Sequence, residues 1–92
     1  MTPKCVVFYE PADDVMTKAP PHFPAHQARL EEFRARGDLL MVGTFADPQA
    51  DGSMAIFRTR AAAEEFVAED PFVLNGVVAR HQLKDWDEIL VS

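Results

Sequence analysis

The chain has 92 residues, 48% of them hydrophobic and 26% charged. That is one globular domain with one core, which excludes a disordered chain and a two-domain enzyme built on a large cofactor fold. The net charge is −6: residues 1–46 carry five positive and six negative side chains, residues 47–92 four and nine, so no basic stripe exists for nucleic acid or an anionic membrane surface.

The first apolar run is Cys5-Val6-Val7-Phe8-Tyr9, between Pro3 and Pro11. Its β-branched and aromatic residues predict a strand. Cys5 is the only cysteine, so neither an internal disulfide nor a cysteine metal cluster can form. MTPKCVVFYEP lacks the apolar stretch of a signal peptide, and runs such as residues 39–42 and 54–57 are far too short to cross a membrane. A soluble cytoplasmic protein is expected.

Residues 10–21 hold Pro11, Asp13, Asp14, Pro20 and Pro21, which is loop chemistry. A helix is predicted from residues 21–24 to Arg36. His26, Leu30 and Phe33 follow i, i+4, i+7 spacing, and Glu31, Glu32, Arg34 and Arg36 fall largely elsewhere. Gly37 is a natural stop after two arginines that suit the negative helix end. Residues 39–45 predict a second strand, residues 47–52 a turn, and residues 54–57 a third strand. Thr59 can cap a second helix through Val67. Pro71 disfavours helical geometry at Asp70, so that helix should end there, with a short further turn closing at Gly76. Residues 77–86 predict a fourth strand, Val77, Ala79 and Leu83 alternating with Arg80, Gln82 and Lys84.

The order β-α-β-β-α-β is the split βαβ, or ferredoxin-like, arrangement: an α+β fold with two helices on one face of a four-stranded, mainly antiparallel sheet. Strands one to three are continuous apolar runs, which implies burial on both faces. Two helices cover only one. The other face is expected to meet a second copy in a two-fold homodimer, the alternative being a solvated sheet with exposed apolar residues.

The three histidines are the first candidates for chemistry, because imidazole changes protonation near neutral pH. His26 lies on the apolar helix stripe and needs a partner if buried; a core histidine bonded to backbone is the plainer reading. His22 and His26 have H-x-x-x-H spacing, but prolines surround His22 and no third ligand is signalled, so no metal is expected. His81 is expected as a partly buried structural or interface residue. Asp70 is the most pointed carboxylate. It suits an N-cap before Pro71, and one oxygen could cap while the other meets an imidazole. Gly37, Gly43, Gly52 and Gly76 are too scattered to cradle a phosphate.

His26-Gln27-Ala28-Arg29-Leu30, then Gly37-Asp38-Leu39-Leu40-Met41-Val42-Gly43, then Asp70-Pro71-Phe72-Val73-Leu74-Asn75-Gly76-Val77 resembles the YciI-like (YCII-related) family over nearly the whole chain. The resemblance implies a dimeric α+β barrel of ferredoxin-like subunits. It also implies a His–Asp dyad, carried here by His26 and Asp70. Some relatives eliminate chloride from chlorinated intermediates of aromatic breakdown. Two positions depart from the family pattern: Phe23 stands where many relatives have Arg, and Thr44 where many have Pro.

The expected function is therefore a lyase or isomerase without a cofactor. Asp70 would orient His26, and the imidazole would act as general acid/base on a small cyclic or aromatic-derived metabolite. Gly43 and Phe72 are expected as pocket walls. The alternatives are a non-catalytic dimeric module that binds a small molecule, and a structural dimer in which the pair only holds helix to sheet.

Overall fold

The computed structural model describes residues 3–90. Four strands form one sheet: β1 (Lys4–Pro11), β2 (Leu39–Thr44), β3 (Ser53–Phe57) and β4 (Val78–Trp86). Their spatial order is β2-β3-β1-β4, and every neighbouring pair is antiparallel. The helices are α1 (Val15–Lys18), α2 (Phe23–Ala35), α3 (Pro48–Asp51), α4 (Arg60–Ala68) and α5 (Pro71–Leu74). The strand order and pairing are those of the expected α+β, ferredoxin-like arrangement.

The helix ends follow their sequence signals. Thr59 Oγ1 accepts a hydrogen bond from Ala62 N and starts α4. Gly37 takes a positive φ of 80° after α2. Gly37 N donates to Arg34 O and Asp38 N to Phe33 O, which closes the helix end. Two regions, one expected as loop and one as a turn, carry short helices. Residues 10–21 contain α1 and most of a 3₁₀ turn, Pro20–His22. Residues 47–52 contain α3, with the Asp47 side chain accepting from Ala50 N and Pro48 opening the helix.

The core lies between the sheet and α2 and α4. Cys5 and Val7 of β1, Ala55 and Phe57 of β3 and Leu39 of β2 meet Phe33, Ala62, Ala63, Phe66 and Val67. Phe33 meets Phe57 and Phe66 edge-on, with ring centres 6.3 and 5.2 Å apart. Gly52 turns into β3 at φ 75°, directly against β1. A Cβ there would lie 2.0 Å from Tyr9 O, so this close approach admits only glycine.

Among the described residues, no helix lies over the sheet's other face. Val6 is buried within the sheet and Met54 and Ile56 are half-buried, while Met41 is 66% exposed, Leu40 45% and Trp86 44%. A bulge in β2 shapes this face. The pairing passes from Leu39 opposite Phe57 to Met41 opposite Ile56, leaving Leu40 extra. Leu40 and Met41 therefore share the uncovered face, and Val42 returns to the covered one opposite Ala55.

Candidate active site

Three elements converge at the Tyr9 end of β1. Alternation along β1 puts Cys5, Val7 and Tyr9 on the covered face. Helix α2 presents His26 from the stripe it shares with Leu30 and Phe33. The junction of α4 and α5 presents Asp70, held extended at ψ 123° by the following Pro71.

Asp70 is fully buried and accepts three hydrogen bonds. His26 Nδ1 lies 2.7 Å from Oδ1, Tyr9 Oη donates to Oδ2 at 2.6 Å, and Phe72 N donates to Oδ1 at 3.2 Å. The first contact is the expected His26–Asp70 pair; the third is the expected N-cap. A carboxylate can only accept, so Nδ1 carries a hydrogen and Nε2 of the neutral ring keeps a lone pair. The ring is held on its face as well. Phe72 stacks on it with centres 3.8 Å apart and planes 5° from parallel, and Phe66 meets it edge-on at 6.3 Å.

Tyr9 makes the group a triad. In the sequence it reads as one more apolar residue of the first strand. The available signal was its parity with Cys5 and Val7, which sends its hydroxyl to the side where His26 points. Burial, then the Asp70 charge and the hydrogen bond to it, hold the Tyr9 phenol far above its ordinary pKa. It is a fixed donor.

Two cavities meet at Tyr9 and Ser53. A niche of about 30 Å³ is lined by His26, Tyr9, Val7, Leu30, Val42 and Phe66 among others. It has room for a water or two, or for one substituent of a ligand. A larger cleft of about 250 Å³ runs between β1, α1, the start of α2 and α5, with Phe23, Phe72, Val15, Met16, Val77 and Thr44 in its walls. Phe72 is thus a wall of this cleft as well as the lid on His26.

The structure places Gly43 elsewhere, in a groove at the β2 edge with Met41, Met54 and Ile56. The bulge at Leu40 explains this, because it shifts alternation by one residue and puts Thr44, not Gly43, on the cleft side. Both departures from the family pattern, Phe23 and Thr44, line the cleft. His22 ends the 3₁₀ turn before α2 and is not within it. His81 is exposed on edge strand β4, opposite Tyr9, and is not the partly buried residue expected. It lines an open groove with Val67 and Ala68 of α4 and Val73 of α5. Among the described residues, no group of three or more His, Cys, Asp or Glu side chains is arranged to hold a metal, and no helix is long and apolar enough to cross a membrane.

The chain belongs to the YCII-related domain family, whose profile matches residues 4–87. Its fold is similar to that of the 5-chloro-2-hydroxyhydroquinone dehydrochlorinase of Burkholderia phenoliruptrix AC1100, solved in complex with 2,5-dihydroxybenzoquinone. The TM-score is 0.73 at 20% identity, over 91% of this chain and 93% of that one. No curated protein sequence matches the chain.

Proposed function

We propose that this YCII-related protein is a small-molecule enzyme of the lyase or isomerase kind, with His26 and Asp70 as its acid/base pair. The observation that carries the reading is the 2.7 Å contact between His26 Nδ1 and Asp70 Oδ1 beside an apolar cleft. Asp70 fixes the tautomer and stabilises the imidazolium once a proton is taken. Tyr9 positions the carboxylate by occupying its second oxygen. A small cyclic or aromatic-derived substrate lies in the cleft and sends one substituent into the niche beside His26. Nε2 takes a proton from a ring hydroxyl or from a carbon next to a carbonyl. The electron pair of the broken bond moves into the ring. A leaving group then departs with its own pair, or the proton returns at another carbon. The scheme uses no cofactor. The dehydrochlorinase of the same fold, with its bound quinone, supports an oxygenated six-membered ring as the substrate frame.

The test is a screen of lactones, quinoid compounds and chlorinated ring-cleavage products with wild type and His26→Gln. Loss of turnover by about 10²–10⁴-fold is expected. Unchanged turnover ends the reading. A compound that binds both proteins equally, and that wild type does not convert, favours the binding module instead.

The second copy belongs to the same reading. Leu40, Met41 and Trp86 expose apolar surface on the face that no helix covers, and a two-fold dimer would bury it. Sedimentation of wild type at twice the chain mass, and of Met41→Asp at one chain mass, is the expected result.

A further inference from the structure

We propose that the cleft selects electroneutral rings and rejects anionic ones. The inference rests on reading the cleft as the substrate site and adds the charge class of the substrate. Among the described residues that line it, none is Lys, Arg, His, Asp or Glu. Its walls are aromatic and aliphatic, Phe23 and Phe72 facing each other at 6.5 Å between ring centres. Thr44, Ser53 and Tyr9 give it a single polar edge.

An anion in such a cleft loses its hydration and meets no countercharge, which is costly in a low-dielectric site. The Asp70 carboxylate, in contact with Tyr9 Oη and His26 Nδ1 behind the wall, repels it. Arg29, whose charge reaches Tyr9, does not serve as the missing cation. Its Nε donates to Phe66 O at 3.1 Å and its Nη2 to Glu65 O at 2.7 Å, and its guanidinium stacks over Phe33 at 4.8 Å. Both of these hydrogen bonds go to backbone carbonyls near the end of α4. A planar ring with hydroxyl or carbonyl substituents fits these features; a ring carboxylate adds a charge that none of them meets.

The test uses a pair that differs in charge and by one methyl group, which alone is worth about fourfold: methyl 4-hydroxybenzoate and 4-hydroxybenzoate, titrated at pH 7 into ¹⁵N-labelled protein and followed by NMR. The ester is expected to shift the amides of Tyr9, Phe23, Thr44 and Phe72, and the acid to bind about tenfold more weakly or worse. Phe23 is half exposed at the mouth, so Phe23→Arg supplies a cation without entering the core. It is expected to bring the two affinities together. If Phe23→Arg does not fold, the wild-type ratio decides alone. Equal or tighter binding of the acid overturns the proposal, as does an ester that shifts no cleft amide at millimolar concentration. The same pair titrated into His26→Gln separates this proposal from the catalytic one. The ratio should persist there, since no charge in the cleft wall has changed. Loss of turnover with no charge preference sinks the selectivity and leaves the acid/base pair standing. A preserved preference with full turnover does the reverse.

Discussion

Asp38 and Asp70 are both buried carboxylates, and they are satisfied by opposite means. Asp38 sits at the end of the sheet where Cys5 pairs with Phe57. Arg58 Nη2 donates to its Oδ1 at 2.8 Å and Arg36 Nε to its Oδ2 at 3.1 Å. Arg36 also grips Glu65 through both terminal nitrogens, so the cluster ties the end of α2 to β3 and α4. The Arg58 hydrogen bond, against the cost of desolvation, holds the Asp38 carboxyl below its ordinary pKa. Asp70 sits at the other end, beside Tyr9, with a phenol, an imidazole and a backbone amide as donors. Two permanent cations make Asp38 a tether. Asp70 has for a partner an imidazole, a side chain that can take and give a proton, and it lies beside a cleft. Burial of an acid is common to both; the protonation freedom of the partner separates a structural latch from a candidate for chemistry.

Asp70→Asn should break the comparison most. The amide accepts at one oxygen and presents two N–H groups to donors that expect an acceptor. Turnover should fall by about as much as in His26→Gln, and the fold should lose about 1–3 kcal/mol for the unsatisfied buried groups. Asp38→Asn should leave turnover unchanged and lower the melting temperature by about 4–8 °C, the shift that ~1 kcal/mol gives in a domain of this size. If the two variants lose the same turnover, the division between latch and site is wrong.

The two ends should also part company with pH. The depressed pKa of Asp38 contributes stability that is present above the ordinary carboxylate value and lost as pH falls through the folded one. Denaturant midpoints should therefore drop below about pH 4, and Asp38→Asn should flatten that fall. Tyr9 acts in the alkaline range with the opposite sense. Its folded pKa is raised, so its contribution is full below the ordinary tyrosine value of about 10 and fades above it. Tyr9 is the only tyrosine, so phenolate absorbance reports it alone. No phenolate signal should appear near pH 10 until the fold is lost, and Asp70→Asn should bring it to lower pH.

Much of this was legible in the sequence, because single residues carry the signals. Thr59, Pro71 and Gly37 mark helix ends through local backbone chemistry, and the spacing of His26, Leu30 and Phe33 gave the buried stripe. The short helices α1 and α3 span four residues each, about one turn, which is too little to show a period. Tyr9 hid because an aromatic residue in an apolar strand looks the same whether or not its hydroxyl has a partner. Gly43 and Thr44 exchanged places because a bulge is one extra residue in the pairing, and nothing in the run Leu39-Leu40-Met41-Val42 distinguishes the inserted one.

Asp70 and Phe72 belong to one short turn, and together they hold the His26 imidazole at its edge and at its face. Val73 N and Leu74 N both donate to Asp70 O, so the turn closes on the residue that supplies the carboxylate. A fluctuation that opens α5 therefore loosens the acceptor and removes the stacked ring in the same event, and leaves the imidazole with its edge contact to Phe66. Hydrogen exchange at the amides of residues 72–74 should follow a single opening equilibrium, and the free energy of that opening is the working stability of the site, distinct from that of the domain around it.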